Sequence, residues 1–201
     1  PIADQLPLVE ELIPCPDLEQ LLLEFAGEDN LLVLDSARQS SSQGHFSYLM
    51  CNPLTRTQIQ TAELGTDPFA LMREVQARHH VESVPGLPPF QGGFAGLLSY
   101  ELGRCWEDFP RAPQDEFQLP DFAVGFYDWV VAWDHHQHRA WLIVQGFDES
   151  LNSQCYERAT QRCRSVKARI DSVLFDRSSR IDPLPQWNTE HPLPREALSD
   201  R

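Results

Sequence analysis

Two apolar runs, DFAVGFYDWVVAW over residues 121–133 and RAWLIVQGF over 139–147, are separated only by the polar stretch DHHQH. Aromatic and β-branched residues crowd both runs and the joint is short, so the pair reads as two long strands of a β-hairpin. The other elements are read around it. Asp17 is placed to cap a short helix whose apolar residues Leu18, Leu21, Leu22 and Phe25 keep a helical period, with Gly27 to end it. LLVLDS, 31–36, and HFSYLMC, 45–51, read as strands on either side of the polar loop ARQSSSQG. A further strand over 55–61 precedes Asp67-Pro68, which opens a helix with Phe69, Met72 and Val75 inward and an end near His79. From about Ser150 to Leu174 the residues Leu151, Cys155, Ala159, Cys163, Val166, Ile170 and Val173 recur at intervals of three and four, the signature of an amphipathic helix.

Helices and antiparallel hairpins interleave without a βαβ rhythm, so the fold class is α+β, with mostly antiparallel sheets and flanking helices. No Rossmann pattern and no 20–50-residue repeat is present. The stretch 176–201, with its isolated prolines and little periodicity, reads as a linker after a domain spanning 1–175.

The 30 acidic side chains outnumber 16 basic ones, a formal charge of -14 that repels phosphate backbones and anionic lipid. Nucleic acid and membrane surfaces are therefore not expected partners. Fifteen of the 16 basic residues are Arg, so a local arginine pocket could still take a small anion. The five cysteines are scattered without C-x-x-C spacing, which argues against a disulfide framework and for a reducing, cytoplasmic compartment. No run reaches the length of a membrane span and the start has no leader-like pattern, although Pro1 fits either a processed or a shortened beginning.

The glycine-rich segment GGFAG, 92–96, lacks the G-x-G-x-x-G spacing and the GK[ST] ending of phosphate loops. Gly92, Gly93 and Gly96 read instead as structural positions in a buried strand running through GGFAGLLSYEL, where a neighbouring backbone or bulky side chain comes close. On that reading Gly93→Val destabilises through a close contact. Asp134, His135, His136 and His138 could gather around a divalent metal or simply form a solvated hairpin tip; with no second ligand group at zinc-finger spacing, the tip is the simpler account. His79 and His80 would complement a helix C-terminus, Lys167 would be solvated, and Glu101 with Glu107 is too common a pairing to indicate acid–base work. No nucleophile elbow or cysteine active-site context appears, so no catalytic residue is assigned in this chain. Asp35, Ser36 and the 44–48 segment could enclose a small amphipathic ligand, or form a hairpin in which Asp35 and Ser36 satisfy turn amides.

Four blocks, LVLDSA (32–37), HFSYLMCNP (45–53), PFQGGFAGLLSYELGR (89–104) and LPDFAVGFYDWVVAWDHHQHRAWLI (119–143), resemble in order and spacing the amino-terminal half of the chorismate-using component I enzymes. Those are aminodeoxychorismate synthase component I and anthranilate synthase component I. The FQGGxxGLxxYELGR pattern with its Gly103-Arg104 ending is more similar to the aminodeoxychorismate branch.

The resemblance implies the amino-terminal part of the component I fold, with 176–201 leading toward a catalytic domain absent from this chain. It implies a synthase that aminates chorismate to 4-amino-4-deoxychorismate for p-aminobenzoate and folate synthesis. A glutamine amidotransferase subunit would supply ammonia, and Mg2+ would be held by residues outside this chain. Anthranilate synthase component I, or a non-catalytic module that binds an aromatic amino acid, are the alternatives. The family's tryptophan pocket maps onto Leu34, Asp35 and Ser36 and onto His45, Phe46 and Ser47; Asp35 stands where the family has Glu, and His45 where it has Arg.

Overall fold

The structure, a computed structural model, describes residues 7–36, 44–79, 83–110, 116–147 and 153–175. The chain forms strand β1 (Leu8–Glu11), helix α1 (Leu18–Phe25), strands β2 (Leu32–Leu34), β3 (Phe46–Met50) and β4 (Thr55–Ile59), and helix α2 (Ala70–Arg78). There follow β5 (Gly93–Leu98), a 3-10 turn (Tyr100–Cys105), β6 (Phe122–Tyr127), β7 (Trp129–Asp134), β8 (Arg139–Val144) and helix α3 (Ser153–Phe175). A five-stranded sheet runs β1-β8-β7-β3-β2 and a three-stranded sheet β4-β6-β5, every pair antiparallel. This is the expected α+β architecture.

The hairpin joining β7 and β8 is the centre of the larger sheet, and both its faces are covered. Trp129, Val131, Trp133, Leu142 and Val144 pack beneath α1 and α3, against Leu21, Phe25, Val166 and Ile170. Val130, Ala132, Trp141 and Ile143 meet Tyr48, Leu87 and Phe90 on the other side. Double coverage explains why these strands are apolar throughout, whereas an antiparallel sheet with one wet face would alternate. Each fully buried Leu or Ile here contributes on the order of 2 kcal/mol.

The run 121–133 does not form one strand. It breaks at Asp128, so that β6 belongs to the small sheet and β7 to the large one. At the corner Gln145 N–H donates to the Asp128 carbonyl (2.7 Å), and Arg162 Nε reaches Asp128 Oδ2 (3.3 Å). The small sheet buries Phe122, Val124 and Phe126 against α2, whose Phe69, Met72 and Val75 point inward as their spacing requires.

The glycine-rich strand is shorter and wetter than its composition predicts. It ends at Leu98, passes into the 3-10 turn at Tyr100, and its second half is exposed. Of its three glycines, Gly96 has the closest neighbour: a Cβ there would meet Ala123 O at 2.1 Å. One on Gly92 would meet Gln145 Cγ at 2.9 Å. Gly93 has open space around it, and its constraint is a φ of +117°. The close contact expected at Gly93 therefore belongs to its neighbours.

Asp17 caps α1 as expected, its Oδ1 accepting from Glu19 and Gln20 N–H. Strand β1 was not foreseen; Arg139 fastens its Glu11 with two bonds of 2.7 and 2.8 Å. Lys167 is not merely solvated, since it bonds both oxygens of Asp171 and lies 3.4 Å from Glu10, tying α3 to β1. His79 stands at the C-cap of α2, the expected helix end, and its ring packs on Phe126 and Phe147. His80, Leu151 and the stretch 176–201, expected as a linker, lie outside the described residues.

Candidate functional site

The β2–β3 pair sets Leu34 opposite Tyr48, and the β3–β7 pair sets Phe46 opposite Asp134. Strand alternation then carries Asp35, Ser36, Ser47 and the β7–β8 turn to one corner of the large sheet. Ser47, fully buried, is its hub. Its Oγ donates to Asp35 Oδ1 (2.8 Å), accepts from Ser36 N–H (3.0 Å) and lies 2.7 Å from His135 Nε2. Ser36 Oγ in turn donates to the Phe46 carbonyl at 2.6 Å.

A hydroxyl has one proton and two lone pairs. With its proton on Asp35, Ser47 can only accept from His135, which fixes the His135 ring with Nε2 protonated. Serine, histidine and aspartate thus meet, but in the wrong sequence for nucleophilic catalysis: the carboxylate holds the serine instead of orienting the histidine, and the histidine donates where a base would accept. The arrangement can fix the edge of a binding pocket; it does not activate a nucleophile.

His45 continues the corner. Its ring stacks on His136 with centroids 3.8 Å apart, and its carbonyl accepts His135 N–H at 2.8 Å. Asp134 Oδ1 accepts from the His136 and Gln137 amides, so the DHHQH segment is a capped hairpin turn. Among the described residues no three His, Cys, Asp or Glu side chains gather as a metal site. Leu34 is exposed, and Phe46 and His45 are partly exposed. Of the six residues singled out from the sequence, Asp35, Ser36 and Ser47 meet here with His45 beside them, whereas Leu34 and Phe46 turn to the other face of the sheet, the side of Tyr48. His135 was grouped with the histidines instead, because only the strand register shows that it reaches Ser47, 88 positions away.

Glu101 is held in an ion pair within its own turn. Glu101 accepts from Arg104 Nε at 2.5 Å, and the Arg104 guanidinium lies 4.3 Å from the centre of the Phe109 ring and also bonds the Phe109 carbonyl. The Gly103-Arg104 pair thus pins the end of the 3-10 turn. All five cysteines are free thiols; burial pushes Cys51 up to about 12, with Glu28 adding to the effect.

A sequence profile described as "chorismate binding enzyme" matches residues 32–192, well over half of the chain. The chain belongs to the chorismate binding enzyme family. Among curated members, it is 37% identical over 121 residues to aminodeoxychorismate synthase component 1 of Escherichia coli K12, covering 51% of this chain and 27% of that protein. It is 32% identical over 171 residues to anthranilate synthase component 1 of Streptomyces coelicolor, covering 85% of this chain and 30% of that protein. The chain thus spans less than a third of either relative. The crystal structure of anthranilate synthase component I from Streptococcus pneumoniae TIGR4 aligns with 65% of this chain and 31% of its own, at 21% identity and a TM-score of 0.42, too loose a likeness to add to the sheet order above. The stretch matching the chorismate binding enzyme profile takes in the Leu34–Ser47 corner, the glycine-rich strand and α3, and leaves β1 and α1 outside it. Among the described residues no helix is long and apolar enough to cross a membrane.

Proposed function

We propose that this chain is the amino-terminal region of an aminodeoxychorismate synthase component I. The observation that carries this reading is the FQGGxxGLxxYELGR block, whose closing Gly103-Arg104 builds the pinned turn after β5. The 37% identity to the Escherichia coli enzyme supports it. In this reading the region gives the complete synthase part of its scaffold in the cytoplasm, while the residues for chorismate and Mg2+ belong to the remainder of the polypeptide and a glutamine amidotransferase supplies ammonia. The Asp35–Ser47–His135 corner, with Leu34, Ser36, His45 and Phe46, is this chain's contribution to an aromatic amino-acid pocket that takes tryptophan.

The complete polypeptide containing this region, given chorismate, ammonium and Mg2+, is expected to form 4-amino-4-deoxychorismate. Anthranilate as the sole product would instead establish the second reading, anthranilate synthase component I. That alternative is favoured by the longer match, which covers 85% of this chain.

A further inference from the structure

A cleft of about 340 Å³ opens where the Asp128 corner meets the first half of α3, on a different part of the molecule from the Ser47 corner. Its size lies at the lower end of the range usual for small-molecule sites, about 300–1,000 Å³. Leu54, Phe147, Cys155 and Ala159 supply apolar walls, while Asp128, Arg158 and Arg162 supply charge.

The charged pair is incompletely used. Asp128 is 8% exposed, and only its Oδ2 is engaged, by Arg162 Nε at a long 3.3 Å. Oδ1 is buried with no hydrogen-bond partner. A desolvated carboxylate oxygen without a donor is costly, so the Asp128 charge is incompletely compensated. Burial pushes the Asp128 carboxyl above the usual carboxylate range, although Arg162 pulls the other way. Asp128 lines the cleft, and since Oδ1 is buried the oxygen available there is Oδ2, which keeps a second lone pair beside the Arg162 bond. Arg162 spends only Nε on Asp128; its two terminal nitrogens form no hydrogen bond with a described residue, and its side chain is 32% exposed on the cleft wall. A guanidinium fork with free ends is suited to a carboxylate.

We propose that this cleft binds an α-amino acid with an apolar side chain, its ammonium on Asp128, its carboxylate on the Arg162 fork and its side chain against Leu54, Phe147 and Ala159. The ammonium donates to the lone pair of Oδ2 that Arg162 leaves unused. The carboxylate occupies the guanidinium edge left over from the Asp128 bond. Neither a simple amine nor a simple acid satisfies both partners. The site is separate from the Ser47 corner and does not depend on which chorismate-using synthase the chain serves.

The test is titration calorimetry of the full chain with L-phenylalanine, alongside 3-phenylpropionate, which lacks the ammonium, and phenethylamine, which lacks the carboxylate. L-Phenylalanine should bind, and each single-charge analogue should bind at least about tenfold more weakly, the loss of one charge-assisted hydrogen bond. Arg162→Gln should weaken the amino acid by a similar factor, and Arg73→Gln, an exposed residue on α2 outside both sites, should leave it unchanged. Amide shifts on the unaltered chain give a readout that does not depend on a variant folding, and they should cluster at Asp128, Gln145 and Arg162. No binding at millimolar L-phenylalanine, equal binding of the three probes, or shifts confined to Ser36 and Ser47 would each overturn the proposal. The last outcome would place the amino acid at the corner assigned to tryptophan, and the product assay would decide the synthase reading independently.

Discussion

A Cβ on Gly96 would lie 2.1 Å from the carbonyl oxygen of Ala123, across the β5–β6 pair and facing backbone that no rotamer change can move aside. Gly96→Ala must therefore separate the two strands. We expect a loss of about 3 kcal/mol or more in denaturant unfolding. Gly93→Ala, with open space but an unfavourable φ, should cost about 1–2 kcal/mol. Gly27→Ala, with nothing within 4 Å, should be near neutral. Equal effects at Gly96 and Gly27 would contradict the strand register.

Arg169 gathers α1 beneath α3. Its Nε bonds Glu24 at 2.9 Å, Nη2 bonds the Glu24 carbonyl at 2.7 Å, Nη1 bonds Glu28, and the guanidinium sits 4.0 Å over the Phe25 ring. Arg169→Ala should cost about 2 kcal/mol, since it removes a network and not a lone surface pair. Lysine lacks the planar fork, so Arg169→Lys should recover little of the loss. Full stability in the lysine variant would show that charge alone suffices.

Asp128 makes stability depend on pH in an uncommon direction. Burial raises its carboxyl above the unfolded value of about 3.9, so the folded state holds the proton more tightly. Its contribution is complete below the unfolded value and is lost as pH rises through the raised folded one. Asp128→Asn removes this loss. Melting curves from pH 3 upward should show the variant gaining on the parent protein as pH rises. Parallel curves, or a parent that gains, would mean that Arg162 outweighs burial.

The thiols should separate by reactivity. Cys15 is exposed, whereas Cys51 is 1% exposed and pushed up to about 12, so almost none of it is thiolate at pH 8. Thiol titration of the folded chain should label Cys15 first and Cys51 only after denaturant is added. Early labelling of Cys51 would indicate frequent opening of the α1–α3 layer.

What could be read from the sequence was local. The Asp17 cap, the three-and-four spacing of Cys155 through Ile170 and the apolar runs around DHHQH each carry their signal within one element, and each element formed close to where it was expected. Strand β1 has no such signal. LVEE becomes a strand because β8 offers it an edge and Arg139 a partner. The break at Asp128 was likewise hidden, since one charged residue in an apolar run does not reveal that its two halves enter different sheets. At the candidate site Asp35, Ser36 and Ser47, from the first two blocks, do meet, yet the hydrogen bond that decides their chemistry, Ser47 to His135, depends on a register no local pattern specifies. Asp128 and Arg162, 34 positions apart, met for the same reason.

The corner at Asp128 also links the fates of the two sheets. β6 is the middle strand of the smaller sheet and β7 an interior strand of the larger, and one residue separates them. Neither sheet can release its inner strand without pulling on the other's. The chain should thus open as a single cooperative unit, and hydrogen exchange at Val124 and Val131 should report one shared opening event.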